Sequence, residues 1–314
     1  MPERIGKSFK SAIMRIFGLS RLEADNYCIS AEFSLIAGKY LPVYIDKELC
    51  PRYKLDRSSV PHRIFILTIP KSGTYLITRI LTNLGIVDCG VHIATDHIQD
   101  NRFADEMVLR LQAWKYIVWI PFDISTRLVD RGQFAFGHIP YYSDGDKLIS
   151  DFKKVFSFRE LRDVIISLVR YYDSREQNYA KPERKRLYEQ FKAAPMGNEK
   201  FKAWYEMWGK EYAVLIRHMF TWKERSDVFQ VKFETLMGDD GRETQLLLLK
   251  ELCGFLDLSV TDAEIDKAIK DSVGAHTLTY SGKRSSYSEW WNEELEDLFI
   301  QYGFKELNRL YGYD

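Results

Sequence analysis

The feature that most constrains this chain is a strand-like run that passes through Pro70-Lys71-Ser72-Gly73-Thr74 directly into a helix-like run. Residues 62–69 are mostly apolar and rich in isoleucine, and residues 75–81 space their apolar side chains as a buried helix does. A turn of this kind leaves backbone N–H groups at the helix N-terminus pointing outward, with the positive end of the helix dipole behind them. The segment therefore predicts a site for a phosphate or sulfate ester.

The side chains of this segment suit the same purpose. Gly73 lets the backbone approach an anion closely, Lys71 adds a positive charge, and Ser72 and Thr74 add hydroxyl donors. The segment is not a Walker A loop, because its lysine precedes its only glycine. An ordinary strand-to-helix turn with a surface lysine and serine is the alternative at this point.

Five strand-like runs alternate with helix-like runs along the chain, at 62–69, 85–89, 133–138, 154–158 and 228–233. The helical patterns cover 74–84, 162–178, 199–221 and 241–256, with two further helices starting at Glu289 and Phe304. Strands separated by helices predict an α/β fold of three layers, in which a mostly parallel sheet of about five strands is flanked by helices. Ligands of such sheets bind beyond the carboxyl ends of the strands. Three polar or loop residues fall there: Pro70, His138 and Arg159.

The domain organisation follows from the same pattern. Residues 1–60 show no clear core strand and are interpreted as an N-terminal leader that packs on the domain formed by 61–314. Segments near 91–130 and 171–210 are interpreted as insertions over the ligand site. Residues 7–21 mix basic and apolar side chains, which is typical of an amphipathic helix that packs on the domain or contacts a membrane surface. No stretch has the roughly 20 apolar residues that span a bilayer.

Charge and cysteine content exclude some classes of function. The 45 Lys and Arg residues balance the 45 Asp and Glu residues, so no nucleic-acid partner is expected. The four cysteines are widely spaced and form no C-x-x-C pair, which favours a reducing cytoplasm over a disulfide framework or a zinc site. The sequence indicates no particular oligomeric state.

A second anion-binding pattern follows the fourth strand-like run. Arg159 stands at the strand end, Asp163 is a candidate helix cap, and Ser167 lies one helical turn beyond Asp163. Arginine binds phosphate oxygens through two parallel hydrogen bonds, so Arg159 and Ser167 can hold one phosphate from two sides. The alternative is a solvated helix start with a salt bridge.

These motifs together resemble the sulfotransferase family. The Pro70–Thr74 segment resembles that family's 5′-phosphosulfate loop, and Arg159 followed eight residues later by Ser167 resembles its 3′-phosphate motif. The segment 137–141 resembles the part of the family that carries a catalytic histidine, and 281–284 resembles the loop that closes over the nucleotide. The resemblance covers roughly four-fifths of the chain, from about residue 61 onward.

The resemblance implies a P-loop-like sulfotransferase domain that uses 3′-phosphoadenosine-5′-phosphosulfate (PAPS), releases PAP and needs no metal. The acceptor would be a hydroxyl or amine of a small molecule, a lipid or a sugar. By the same resemblance His138 would be the general base, and Lys71 would stabilise the leaving group. The implied nucleotide-binding residues are Lys71, Ser72, Gly73, Thr74, Tyr75, Arg159, Ser167, Phe233, Gly282, Lys283 and Arg284.

The chain departs from the family pattern at several positions. Phe136 stands where the family often has a lysine two residues before the histidine, Phe233 replaces a tyrosine, and Leu76 replaces a tryptophan beside the adenine. Two other functions stay open. A P-loop kinase or NTPase would need an acidic residue after a later strand to hold Mg²⁺, whereas 154–158 is followed by Arg159. A non-catalytic nucleotide-binding module is the other alternative.

Overall fold

The computed structural model describes residues 59–101, 111, 116–119, 121–177, 179, 181–273, 287 and 290–313. The leader up to residue 58, its amphipathic segment 7–21, and the three predicted nucleotide-binding residues of 282–284 lie outside the described residues. No helix in the described part of the chain is both long and apolar enough to cross a membrane.

One sheet organises the described residues. Its strands are β1 (Arg63–Thr68), β2 (Val87–Ile93), β3 (His97–Asp100), β4 (Ile117–Trp119), β5 (Gln133–Gly137), β6 (Phe152–Phe158) and β7 (Val228–Lys232). Their order across the sheet is β4-β3-β2-β5-β1-β6-β7. The five strands from β2 to β7 in this order are mutually parallel, and β3 and β4 extend the β2 edge antiparallel.

The parallel part of the sheet confirms the predicted fold. Its five strands are the five that the sequence pattern predicted, shifted by only a few residues at their ends. β3 and β4 were not predicted, because strands of four and three residues are too short to show an alternation of polar and apolar side chains. Both fall within the segment that the sequence suggested as an insertion.

Helices cover both faces of the sheet. They are α1 (Thr74–Asn83), α2 (Phe122–Ser125), α3 (Ser143–Leu148), α4 (Leu161–Asp173), α5 (Pro182–Ala193), α6 (Asn198–Trp204), α7 (Lys210–Glu224), α8 (Phe233–Met237), α9 (Arg242–Phe255), α10 (Asp262–Ser272), α11 (Glu293–Gln301) and α12 (Phe304–Leu310). A short 3₁₀ turn covers Thr126–Leu128, and a π-helical turn at Tyr205–Gly209 joins α6 to α7. The region predicted as one helix over 199–221 therefore consists of these three parts.

β1 shows how the two faces become two cores. Ile64 and Ile66 pack with α1, α9 and α10 on one face, whereas Phe65 and Leu67 pack with α4 and the C-terminal helices on the other. All four side chains are fully buried. Alternating strand residues reach opposite faces, so a strand covered on both sides is apolar throughout. The central strand is thereby fixed, and with it the position of the loop that follows.

Several large aromatic residues of the segment 171–210 belong to the core. Trp204, Tyr205 and Trp208 are fully or almost fully buried and pack among α4, α5 and the C-terminal helices. Large rings on helices usually fill a core, and here they support the layer behind the site.

Candidate active site

The carboxyl edge of the parallel sheet gathers the predicted site residues. Leu67 of β1 pairs with Gly137 of β5, and Thr68 pairs with Ser157 of β6. Because these strands are parallel, the residues that follow each of them emerge at the same edge. His138 follows β5, Arg159 follows β6 and Phe233 follows β7, so all three lie beside the loop that follows β1.

The loop after β1 is held against β6 by Ser72. Its hydroxyl oxygen lies 2.7 Å from the carbonyl oxygen of Ile69 and 2.9 Å from that of Ser157, and its backbone N–H donates to Ile69 as well. In return, the Ser157 hydroxyl donates to the Ser72 carbonyl at 2.9 Å. The Ser72 hydroxyl proton is thus engaged within the protein, and Ser72 shapes the loop in this structure rather than offering a free hydroxyl donor.

The backbone of the loop presents unpaired donors. The amide groups of Gly73, Thr74 and Tyr75 have no hydrogen-bond acceptor among the described residues. Lys71 and Gly73 both adopt a positive φ, at 68° and 91°. The backbone is therefore curved around the start of α1, whose dipole adds positive potential at the same point. This is the geometry of an anion site.

The ring of Phe233 connects the loop to the second anion pattern. A Cβ atom on Gly73 would lie 2.4 Å from Cδ2 of Phe233, so only glycine fits there. The guanidinium carbon of Arg159 lies 4.3 Å from the centre of the same ring. Phe233 thus touches both the loop and Arg159, and it holds the two at a fixed separation.

Arg159 is buried but not fully paired. It is 7% exposed, and its Nη2 donates to Oδ2 of Asp163 at 3.1 Å. Its buried Nε has no hydrogen-bond partner, and neither does Oδ1 of Asp163, among the residues described. Leaving a buried charged group partly unsatisfied is costly, which indicates that a ligand completes the set. Ser167 lies one turn beyond Asp163 on α4, and its hydroxyl has no partner in the described part of the chain.

The expected cap of α4 is wrong by three residues. Glu160, not Asp163, is the N-cap, and its carboxylate accepts the backbone N–H groups of Arg162 and Asp163. Asp163 pairs with Arg159 instead. Glutamate is an uncommon N-cap, since Ser, Thr, Asp and Asn are preferred, and so the sequence favoured the aspartate.

The ammonium group of Lys71 lies in a positive environment. Its Nζ lies 4.7 Å from the centre of the Tyr171 ring, and the guanidinium carbon of Arg175 lies 4.2 Å from that same ring. Burial, followed by the charges of Arg175 and Arg159, lowers the pKa of Lys71 from 10.5 to about 7. An anion at the loop would oppose each of these effects. Arg175, which is 6% exposed, could not be predicted as a site residue, because nothing in its sequence neighbours marks it as one.

His138 is held in one orientation by β1. Its Nδ1 lies 2.8 Å from the carbonyl oxygen of Thr68 and 3.0 Å from the Thr68 hydroxyl, which in turn lies 2.9 Å from the hydroxyl of Thr74. A carbonyl oxygen only accepts, so Nδ1 carries the proton and Nε2 keeps a free lone pair. Burial, with a smaller contribution from Lys71, lowers the pKa of His138 to about 4. The imidazole is therefore neutral near pH 7 and can accept a proton at Nε2.

A buried network supports the start of α4 from behind. Arg162 donates to Glu160 at 2.8 Å and to Glu296 at 3.0 Å. Glu234 accepts the backbone N–H of Glu160 at 3.2 Å and the hydroxyl of Tyr313 at 2.6 Å. The C-terminal residues therefore fix the backbone beside Arg159.

Among the residues described, no group of three or more His, Cys, Asp or Glu side chains is placed to hold a metal ion.

The chain is similar to a known domain family and, at low identity, to solved structures. The sequence model of the sulfotransferase domain matches residues 61–293, about three-quarters of the chain. Mouse sulfotransferase SULT7A1 complexed with PAP is similar at 14% identity, over 81% of this chain and 89% of that one, with a TM-score of 0.47. Retinol dehydratase in complex with androsterone and the inactive cofactor PAP is similar at 13% identity, over 85% of both chains, with a TM-score of 0.48. No curated protein matches the sequence.

Proposed function

This chain belongs to the sulfotransferase family, and we propose that it transfers the sulfuryl group of PAPS to a hydroxyl or amine of a small-molecule, lipid or sugar acceptor. The observation that carries the proposal is the pair of anion sites along one sheet edge. The loop amides with Lys71 form one site, and Arg159 with its unpaired Nε forms the other. The donor has two anionic groups, a phosphosulfate and a 3′-phosphate, and the two sites match them.

The described residues fit the donor. The amides of Gly73, Thr74 and Tyr75 would hold the phosphosulfate, with Lys71 beside them. Arg159 and Ser167 would hold the 3′-phosphate, and Phe233 would support both sites from behind. The predicted contribution of Gly282, Lys283 and Arg284 stays a prediction.

When bound, PAPS supplies the sulfuryl group and a PAP leaving group. The Lys71 ammonium, held against Tyr171, would stabilise negative charge on the leaving oxygen. Nε2 of His138 would take the proton from the acceptor, since Nδ1 is engaged with Thr68. Arg175, which contacts the same Tyr171 ring, would add a second positive charge beside the donor. Catalysis by these residues is mostly positioning and electrostatic stabilisation.

Two observations weigh against the alternative functions. β6 is followed by Arg159 and Glu160, and Glu160 is engaged in capping α4 and pairing with Arg162, so it is not free to hold Mg²⁺ as a kinase would require. A purely binding module would have no need of an oriented imidazole with a free Nε2.

Transfer without added metal and a cytoplasmic location stay predictions. The thiols of Cys89 and Cys253 are buried and form no disulfide among the described residues, which is compatible with a reducing compartment.

The function is tested with ³⁵S-labelled PAPS and an acceptor panel in the presence of EDTA. We expect label to move to an acceptor, and calorimetry to show that PAP binds. His138→Ala should keep the affinity for PAP and lose transfer, while His62→Ala, at the opposite edge of the sheet, should change neither. Absence of PAP binding, or ATP hydrolysis that requires Mg²⁺, would contradict the proposal.

A further inference from the structure

A bulge in β2 places a second histidine beside His138. Asp88 of β2 pairs with Phe134 of β5, and His92 pairs with Phe136. The chain therefore advances four positions along β2 between these two pairs but only two positions along β5. Gly90 lies within this bulge at φ 77°, and its N–H donates to Oδ1 of Asp88 at 2.7 Å. Bulges re-aim side chains and are frequent next to active sites. Here the bulge brings His92 to the same edge as the general base.

The rings around His92 fix its orientation. It stacks on Phe136, with ring centres 5.0 Å apart and an interplanar angle of 27°. It stands perpendicular to His138, with ring centres 4.9 Å apart and an angle of 90°. The ring of Tyr75 packs edge-on against Phe136, with ring centres 6.3 Å apart. His92 is thus held by ring contacts rather than by hydrogen bonds to the described residues.

The nitrogen atoms of His92 are available to a ligand. Neither has a hydrogen-bond partner within the described ranges, although the side chain is half-buried. Burial, together with His138 and with His97 of β3, lowers the pKa of His92 well below 6.5. The ring is therefore neutral near pH 7, with one nitrogen as donor and the other as acceptor. These nitrogens are not among the fully buried unpaired atoms of the described residues, so they face space that a bound molecule can enter.

We propose that His92 binds the acceptor, by hydrogen-bonding a hydroxyl next to the one that His138 deprotonates. This inference rests on the proposed function and names the acceptor class: molecules with two hydroxyls on adjacent carbon atoms, as in a sugar ring or a catechol. A neutral imidazole both donates and accepts, as a hydroxyl does, so the two suit each other. Tyr75, whose ring is half-buried beside Phe136, can contact the ring that carries such hydroxyls.

The test compares acceptors that differ only in the second hydroxyl. The pairs are catechol with phenol, and trans-1,2-cyclohexanediol with cyclohexanol. For the wild-type protein with PAPS, we expect kcat/KM to favour the diol by roughly tenfold or more. His92→Phe keeps a ring against Phe136 but has no polar atom, so it should lose this preference while PAP affinity stays unchanged. His92→Gln restores a donor and an acceptor and should recover part of it.

Matched controls separate binding from folding. His62→Phe changes a histidine at the opposite edge, whose Nε2 lies 2.5 Å from Oδ2 of Asp257, and should leave the diol preference intact. Thermal melting of each variant shows whether it is folded. Transfer without diol preference, or a preference that survives in His92→Phe, would overturn this inference but leave the proposed function standing. Failure of every diol to bind the PAP-loaded protein would also overturn it, whereas failure to bind PAP contradicts the proposed function itself.

Discussion

The carbonyl oxygen of Thr68 lies 2.8 Å from Nδ1 of His138, and this hydrogen bond joins the last residue of the central strand to the candidate base. Because the acceptor is backbone, it is fixed by the pairing of β1 with β5 and β6 and does not depend on a side-chain rotamer. The tautomer of His138 is therefore set by the sheet. The free lone pair on Nε2 follows from where the strand ends.

The activity should depend on pH in a bell-shaped manner. His138 must be neutral to accept a proton, and its pKa is about 4, so kcat/KM should rise with pH through about 4. Lys71 must be protonated, and its pKa is about 7, so kcat/KM should fall as pH rises through about 7. The measurement is kcat/KM for PAPS from pH 3.5 to 9, which reports on the free enzyme.

Variants assign the two limbs of this profile. Lys71→Met should remove the falling limb, and His138→Ala should lower the rate by roughly 10² to 10⁴ and remove the rising limb. If the falling limb persists in Lys71→Met, it belongs to another group, such as a donor phosphate.

Arg159→Gln should weaken binding of PAP but not of AMP, which lacks the 3′-phosphate. Hydrogen bonds to a charged group are worth about 1.5–3 kcal/mol, so we expect a loss of affinity for PAP of roughly 10- to 100-fold. Isothermal titration calorimetry with both nucleotides measures this. Arg63→Gln is the matched control, because Arg63 lies at the opposite end of β1 and pairs with Asp151. An equal loss of affinity for PAP and AMP would mean that Arg159 does not contact the 3′-phosphate.

Gly73→Ala should destabilise the protein through two separable effects. The positive φ of 91° is unfavourable for alanine, at about 1–2 kcal/mol, and the new Cβ would collide with Phe233. Gly85→Ala isolates the first effect, since Gly85 has a φ of 90° and a Cβ added there would meet nothing within 4 Å. Urea unfolding should rank Gly73→Ala as the more damaging change, and Gly73→Ala with Phe233→Leu should recover part of the difference. Equal losses for the two single alanine variants would mean that the Phe233 contact costs nothing.

Arg162→Ala should lower stability much more than Arg217→Ala. Arg162 is buried between Glu160 and Glu296, and removing one partner of a buried pair costs about 3–5 kcal/mol. Arg217 and Glu306 form an exposed pair, which is worth about 0–1 kcal/mol. Arg162 also lowers the pKa of Glu296 from 4.5 to about 2. This contribution to the free energy of unfolding is present above pH 4.5 and is lost as pH falls toward 2. The difference in free energy of unfolding between wild type and Arg162→Ala, measured by urea unfolding, should therefore become smaller over that range.

The parallel strands could be predicted because each is a short apolar run between helix-like runs. The juxtaposition of the Lys71 loop, His138 and Arg159 followed from one rule, that parallel strands end at a common edge. Hydrogen bonds made by side chains were harder to predict from the sequence. The roles of Ser72 and Glu160 depend on which carbonyl or amide groups lie nearby after folding, and residue type alone does not reveal them.

Arg175 and His92 could not be predicted for a different reason. Arg175 lies just beyond the end of α4 and contacts Tyr171 of that helix. His92 depends on a bulge whose extra residues change the register of β2. Neither position falls at a strand end predicted from the apolar runs. A single sequence read by periodicity assumes a regular strand and therefore misplaces residues beyond a bulge.

The phenyl ring of Phe233 packs against both proposed binding sites for the donor, so a change in that ring would affect both. A smaller or tilted side chain at Phe233 would loosen the proposed phosphosulfate site and the proposed 3′-phosphate site together, so this position cannot adjust one of them alone. A substitution that changes binding at only one of the two sites would have to be made at another side chain, such as that of Ser167 or Tyr171 on α4.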